Sequence, residues 1–506
     1  MKDSYFLGID IGTFESKGVL MDGQSKVIAT SAVPHKMEVP HPGYAEHDAE
    51  STWWSDFCTL SKDLLEKSGI SSSKISAVGC STIAPCCLPV DKDLRPLRKA
   101  ILYGVDVRAD KEITFLEDHY GHDEIFKRCG AAVTSQSAAA KILWIKNNEP
   151  EVYAKADKFI TGTTYLVAKL TGNYVVDCYT ASSWVPIYNI KKADWEDDLS
   201  MFCRRDQLAD CRWTHEIAGN IHKDAANETG LAAGTPVVIG TADASAEALS
   251  VGVLQPGEMM VMYGSSLFII HVVDRFISDV RIWSGPYLFP GTYALAAGMS
   301  TSGTLIRWYR DQLARDVAEE AEARGRNPYE LMAEKAEGIP AGSNGLIVLP
   351  YFSGERTPIN DPLAKGMVFG LNLQHTREHI YNACLEGIGY GISQHFEIFD
   401  VLKTETKKVM AVGGGTKHKK WLQIVSNICG RTQHVAEEGT GAAYGDALLA
   451  GLGVGLFGSP EELSNHIKMK RSVTPDETTH QFYKKFYSNY TALYEATKEI
   501  MHTSYN

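Results

Sequence analysis

The run Asp10-Ile11-Gly12-Thr13, with Ser16 and Lys17 just beyond it, combines a carboxylate, a glycine turn, two hydroxyls and a cation within eight residues. Glycine lets backbone N–H groups swing toward an anion, and Thr13 and Ser16 add hydroxyl donors. Lys17 contributes a point charge, and Asp10 is of the type that holds Mg²⁺ directly or through water. An ordinary solvated hairpin would use the same residues, so the two readings stand level. Gly264-Ser265-Ser266 repeats the theme of small hydroxylic residues between apolar runs. Gly413-Gly414-Gly415-Thr416 follows the apolar run Val409–Val412 and precedes a helical stretch from Lys420. That order lets a nucleotide lie on bare backbone at Gly414 and Gly415, or simply makes a flexible connection. Asp243, in Gly240-Thr241-Ala242-Asp243-Ala244-Ser245, sits at the end of a strand-like run among small residues. A carboxylate there suits proton abstraction from a hydroxyl, help worth roughly 10²–10⁴-fold. With a reference pKa of about 3.9 it is expected to be ionised at neutral pH. The competing reading is a helix N-cap.

The elements around these residues follow from periodicity. Tyr5–Ile11, Gly18–Met21 and Val27–Val33 read as an antiparallel meander, with Asp22-Gly23 as a tight turn. Amphipathic helices are predicted at Ala49–Lys67 and Ala138–Asn147, and strands at Ile75–Cys80 and Val237–Thr241. Near Gly257 the pattern restarts: strand Met259–Met262, turn Tyr263–Ser266, strand Leu267–Val273. This resembles the opening of the chain and points to two related α/β halves, with a ligand between them. A long helix is expected over Thr376–Asp400, capped by Thr376 and with Glu378 complementing its first turn. Gly387 and Gly391 lie on its apolar face, where close approach of another backbone would explain them. Asp476–Met501 reads as a surface helix anchored by Tyr and Phe.

Composition narrows the classes. The chain has 506 residues, 44% apolar and 22% charged, with 50 Lys plus Arg against 62 Asp plus Glu and a formal charge of −12. Such a length suggests roughly two to four domains. An acidic balance argues against nucleic acid or an anionic membrane as partner. The longest apolar stretch, Ala447–Phe457, falls well short of the roughly 20 residues a bilayer needs. No basic-then-apolar leader is evident, and the 10 cysteines are scattered without a Cys-x-x-Cys pair, so reduced thiols and a cytoplasmic setting are expected.

Several motif matches lose their force in context. His375-Thr376-Arg377-Glu378-His379 fits H-x-x-E-H but straddles a helix start, which argues against zinc. Gly453–Gly458 fits G-x-G-x-x-G but follows a helix-like run rather than a strand. Lys417, His418, Lys419 and Lys420 read as a solvated helix entrance. A G-x-x-x-x-G-K-[ST] loop is absent, as are H-R-D and D-F-G.

Together the motifs resemble the FGGY carbohydrate kinases, within the superfamily that shares the actin-like ATPase fold. The segment carrying most of the likeness runs from Leu349 to Pro358, through Gly366–Leu371, to His375–His379 and Leu385-Glu386-Gly387. Gly8–Thr13, Pro42–Glu46 with Trp53-Trp54, and Arg307–Asp311 extend it from Leu7 to about Gly455. The resemblance implies an α/β fold of two ribonuclease H-like domains with a cleft between them, over residues 1–250 and 251–490, followed by an end segment 491–506. It implies ATP and Mg²⁺, with Asp243 as catalytic base and Asp10 and Thr13 at the metal and phosphates, alongside the Gly12, Ser16 and Lys17 that the turn's own chemistry nominates. Gly264 and Ser265 would serve the phosphates from the second domain, and Gly414 and Gly415 would border the adenosine. Xylulokinases are the most similar members, so the expected acceptor is a small ketose such as xylulose. Ala84 and Pro85 stand where those enzymes place a Met-His pair on the sugar, which keeps ribulose, an L-sugar or glycerol open as alternatives. Asp106 and Arg108 keep an Asp-x-Arg motif at the expected sugar wall. The remaining alternative is a non-catalytic nucleotide-binding protein of actin type. No nucleic-acid or membrane partner is expected, and a homodimer is left open.

Overall fold

In a computed structural model of the chain, which describes residues 4–437 and 441–503, packing separates two units. The first comprises the described residues of Met1–Gln255, Val272–Ala294 and Glu438–Ile467, and the second those of Pro256–His271, Leu295–Glu437 and Lys468–Asn506. Sequence reading placed the boundary in one step near residue 250, as contiguous halves. In the structure the chain returns to the first unit at Val272–Ala294 and again with the small-residue helix Ala442–Gly453, which packs on that unit's strands. The described part of the end segment 491–506 continues the helix Glu477–Thr503. Among the described residues no helix is long and apolar enough to cross a membrane.

The first unit is built on strands β1 (Tyr5–Ile11), β2 (Glu15–Asp22), β3 (Val27–Pro34), β4 (Ile75–Thr82), β5 (Ile217–Asn220) and β6 (Pro236–Val238), in the sheet order β5-β6-β4-β1-β2-β3. The expected meander forms β1 to β3, and β4 lies parallel to β1. β1 is buried from Phe6 to Ile11 because both sheet faces are covered. Trp53, Phe57, Leu60 and Leu64 belong to the apolar core of this unit. Pairing sets the site's register: Asp10 lies opposite Lys17 on one side and Ser81 on the other, and Ser81 in turn pairs with Thr241. Strand ends from three distant stretches of sequence thus share one edge of the sheet. Asp243 follows two residues after Thr241 as the first residue of helix Asp243–Ser250.

The second unit repeats the layout. Strands β7 (Glu258–Tyr263) and β8 (Leu267–Val273) form a hairpin, β9 (Lys408–Val412) lies parallel to β7, and β10 (Gln433–Ala436) and β11 (Met469–Val473) continue the sheet. Hairpin β7-β8 with β9 thus matches hairpin β1-β2 with β4, as the restart near Gly257 implied. The long helix spans Arg377–Val401. A Cβ on Gly387 would lie 2.3 Å from the Val348 carbonyl oxygen, the close backbone approach expected of its glycines. At Gly391 the neighbour is instead the Met299 side chain, 2.3 Å away.

Candidate active site

In the first unit the strand ends gather carboxylates. Ser81 Oγ donates to Asp446 Oδ2 at 2.7 Å and lies 3.1 Å from Asp10 Oδ1, so one hydroxyl bridges two buried acids. Burial, then the charge of Asp243, holds the Asp10 carboxyl well above its ordinary range. Asp243 is pushed up to about 7, chiefly by burial, with Glu247 adding repulsion and the Ala244 N–H bond opposing it. The expectation of a fully ionised Asp243 therefore fails for this site without its ligands: the surroundings favour the neutral acid. Asp243 is also not an N-cap. Its Oδ1 accepts from Ala244 N–H at 2.8 Å, and Ala242 precedes the helix.

The hairpin between β1 and β2 is closed by Gly12 N–H donating to Glu15 O at 3.1 Å. Thr13 stays half-exposed, its hydroxyl 3.0 Å from the Tyr103 hydroxyl. Lys17, on the same face as Asp10 by strand register, is exposed and pairs with Glu15 at 3.2 Å. Ser16 does not join them. Alternation turns it to the other face of the sheet, where it is fully buried and donates to Asp56 Oδ2 at 2.7 Å.

The expected sugar-side residues behave unequally. Ala84 is half-buried and Pro85 buried, next to the end of β4. Asp106 and Arg108 are a buried brace. Asp106 accepts from Ala45 N–H at 2.6 Å and pairs with Arg108, whose other branch meets Glu46 Oε1 at 2.8 Å beneath the Tyr44 ring. With these groups committed to each other, the pair offers few free donors.

The second unit holds a cavity of about 1050 Å³. Gly264, Ser265, Gly414 and Gly415 all line it, so the two glycine turns separated by about 150 residues of sequence converge as expected. The turns touch through backbone: a Cβ on Gly413 would fall 2.8 Å from Tyr263 O, and one on Gly415 would meet Tyr263 Cβ at 2.7 Å and the Trp421 ring at 2.8 Å. At Gly414 no atom lies within 4 Å of the position a Cβ would take. Tyr329 and Trp421 add aromatic wall. Sequence reading missed both, and the lysine run, with Lys417 and Lys419 exposed at the entrance of helix Lys419–Cys429, also borders the cavity. Lys417, Lys419 and Lys420 line the cavity, Lys420 donates to Ala336 O, and His418 Nδ1 accepts from Trp421 N–H at 3.1 Å. His375 and His379 serve local bonds, to Asn344 O at 3.2 Å and from Thr376 N–H at 3.1 Å.

Comparison with known proteins gives this geometry a family. Residues 5–250 match the N-terminal domain of the FGGY family of carbohydrate kinases and residues 259–454 match its C-terminal domain. The chain belongs to the FGGY family of carbohydrate kinases. It is similar to the gluconokinase of Bacillus subtilis (strain 168), 28% identical over 488 residues that cover 95% of this chain and 94% of the relative. Similarity to the xylulose kinase of Escherichia coli (strain K12) is 28% over 501 residues, covering 98% and 100%. A solved xylulose kinase from Rhodospirillum rubrum superposes with a TM-score of 0.91 at 28% identity, covering 98% of this chain and 100% of that one.

As an FGGY kinase the protein is a phosphotransferase with an alcohol acceptor and ATP as donor, built on the two-domain fold of the family. The signature that carried most of the resemblance is a structural knot. Arg356 donates to the Met299 carbonyl at 2.8 Å, Thr357 Oγ1 accepts from Gly298 N–H at 2.7 Å, and the buried Glu355 accepts from Ser300 N–H at 2.6 Å. These bonds tie the signature to Gly298–Ser300, just ahead of the helix Gly303–Leu313 that supports the Gly264 turn. Sequence reading passed over Asp446, which joins Asp10 through Ser81. It follows the run Ala442-Ala443-Tyr444-Gly445.

Two outcomes follow for this FGGY kinase. Because the folded-state pKa of Asp243 lies above the value near 3.8 of an exposed aspartate, the stability its neutral form contributes is present at low pH and lost as pH rises through about 7. Asp243→Asn should therefore gain thermal stability relative to wild type as pH rises from 4 to 8 in chelator, by on the order of 3 °C per kcal/mol for a domain of this size. Thermal unfolding across that range checks the sign. Gly414→Val should raise KM for ATP more than about tenfold while leaving Tm unchanged, since the new side chain projects into open space.

Proposed function

We propose that this kinase transfers the γ-phosphate of ATP to a hydroxyl of a small ketose, with xylulose as the leading acceptor and xylulose 5-phosphate and ADP as products. Support for the acceptor comes from full-length similarity to xylulose kinases in sequence and structure. The observation that carries the chemistry is Asp243, a carboxyl at the end of a strand whose proton affinity burial has brought to about 7. A base matched to neutral pH can take a proton as the hydroxyl attacks and still release it afterwards. Ala244 N–H holds Oδ1, so the other oxygen is the one offered to the substrate.

Mg²⁺ fits the residues present. Among the described residues no group of three or more His, Cys, Asp or Glu could hold a metal ion by itself. Nucleotide-bound Mg²⁺ needs no such cage, because one or two carboxylates and the substrate phosphates suffice. Asp10 is the residue that would hold it, its carboxyl held above its ordinary range by burial and then by the charge of Asp243. Bound there, the ion supplies positive charge that neutralises the β- and γ-phosphate oxygens. Thr13 and Ser265 supply hydroxyls at the two hairpins, and Gly414 and Gly415 leave room for the adenosine.

A second acceptor class is favoured by Ala84-Pro85 together with the similarity to a gluconokinase. A proline cannot donate a hydrogen bond to a sugar hydroxyl, so the pocket would select by shape more than the Met-His pair does. ADP release with ATP, Mg²⁺ and a panel of xylulose, ribulose, gluconate and glycerol separates the classes. The proposal expects xylulose to give the highest kcat/KM, and a hundredfold preference for gluconate or glycerol would overturn it. With the preferred acceptor, Asp243→Asn should lower kcat by roughly 10²–10⁴-fold with sugar binding retained. Turnover within threefold of wild type would remove Asp243 as the base.

A further inference from the structure

Backbone binds phosphate when neighbouring N–H groups are presented together and the carbonyls of the same peptides are occupied elsewhere. In the β1-β2 hairpin each of the first two turn carbonyls is held by a histidine. His35 Nε2 lies 3.0 Å from Gly12 O, and His47 Nε2 lies 3.1 Å from Thr13 O. A carbonyl oxygen can only accept, so both Nε2 atoms carry the proton. The far side of each ring is fixed as well. His35 Nδ1 sits 2.9 Å from Asp56 Oδ2, the carboxylate that Ser16 also reaches, and His47 Nδ1 accepts from Trp53 Nε1–H at 3.1 Å. An indole N–H only donates, so His47 is the neutral tautomer protonated at Nε2. Burial, then the neighbouring His35, pushes its pKa down to about 4, in keeping with that state.

Across a trans peptide the C=O and N–H point in opposite directions. Fixing the carbonyls of Gly12 and Thr13 therefore turns the N–H groups of Thr13 and Phe14 the other way. Among the described residues neither of these N–H groups donates to a protein acceptor. The second hairpin shows the same pattern residue for residue. Gly264 O accepts from Gly303 N–H at 3.0 Å, and Ser265 O accepts from the N–H groups of Ser302 and Thr304 at 3.1 and 3.0 Å. The N–H groups of Ser265 and Ser266 again have no protein acceptor among the described residues. In that turn the start of helix Gly303–Leu313 holds the carbonyls. In the first turn two imidazoles do so.

We propose that His35 and His47 are positioning residues for phosphoryl transfer: by holding the Gly12 and Thr13 carbonyls they preset the Thr13 and Phe14 N–H groups as donors to a phosphate of ATP. The inference rests on the kinase reading above. It gives Ser16 a role through Asp56 and His35 rather than through direct contact with phosphate. The ring nitrogens of both histidines are engaged by protein groups, so each acts through the backbone it orients.

The test combines spectroscopy with kinetics on the full chain. ¹⁵N NMR of histidine-labelled wild type should show Nε2 protonated on both rings, with His47 remaining neutral down to about pH 4. An unprotonated Nε2 on either ring overturns the inference, and this readout needs neither activity nor a variant. His35→Phe and His47→Phe should each lose about 10- to 100-fold in kcat/KM for ATP while KM for the acceptor stays within about twofold. Glutamine at either position, whose side-chain amide can replace the Nε2 donor, should recover most of that loss. Phe variants with wild-type ATP kinetics, equal losses toward ATP and acceptor, or Gln variants as impaired as Phe would each contradict the proposal. If wild type transfers no phosphate to any acceptor, the kinase reading fails; if an active wild type is matched by its Phe variants, only the histidine inference fails.

Discussion

The active-site acids depend on a helix laid backbone against backbone on two strands. Gly8 and Gly79, on neighbouring strands β1 and β4, leave room for helix Ala442–Gly453: a Cβ on either would lie 1.9 Å from Ala443 O or 2.2 Å from Asp446 O. On the helix side, Gly445 does the same for helix Asp243–Ser250, where a Cβ would fall 1.9 Å from Ala246 O. No larger residue fits at these crossings without moving main chain. The contact brings Asp446 to Ser81, and Ser81 to Asp10. Burying several carboxylates together in this way is unfavourable unless protons or a cation offset their charge, and this is why Asp10, Asp243 and Asp446 all hold their protons more tightly than exposed acids do.

The two units apply one local device to two tasks. Each opens with a hairpin whose turn carbonyls are tied back by the protein, and each pairs the first hairpin strand with a parallel neighbour. In the first unit that frame carries Asp10 beside Ser81. In the second it borders a cavity lined by both glycine turns. The family signature at Glu355–Thr357 works behind the scenes, as a clasp on the segment that precedes the supporting helix.

Much of this was legible in the sequence where chemistry and local structure coincide. Alternating apolar runs marked β1 to β3, β7 and β8, and glycine turns with hydroxyls marked Thr13, Ser265 and Gly414. What stayed hidden depends on tertiary packing. Ser16 was placed at the phosphate because it lies near Gly12 in sequence, yet strand alternation turns it to the opposite face. Asp446 sits in an apolar, glycine-rich run that reads as core filler, and only its contact with Ser81 reveals its role. The free-acid pKa of Asp243 ignored burial that no single sequence window shows. That Asp106 and Arg108 satisfy one another was likewise not visible in the sequence.

Helix Ala442–Gly453 holds Asp446 against Ser81 by close backbone contact with β1 and β4. Acceptor-dependent ADP release by Gly79→Ala, measured beside ATP affinity in the same preparation, tests whether that contact positions the acids for transfer. The account predicts turnover reduced by about 10²-fold or more with ATP affinity within about threefold of wild type. Near-normal turnover with an added methyl 2.2 Å from the Asp446 carbonyl oxygen would contradict it.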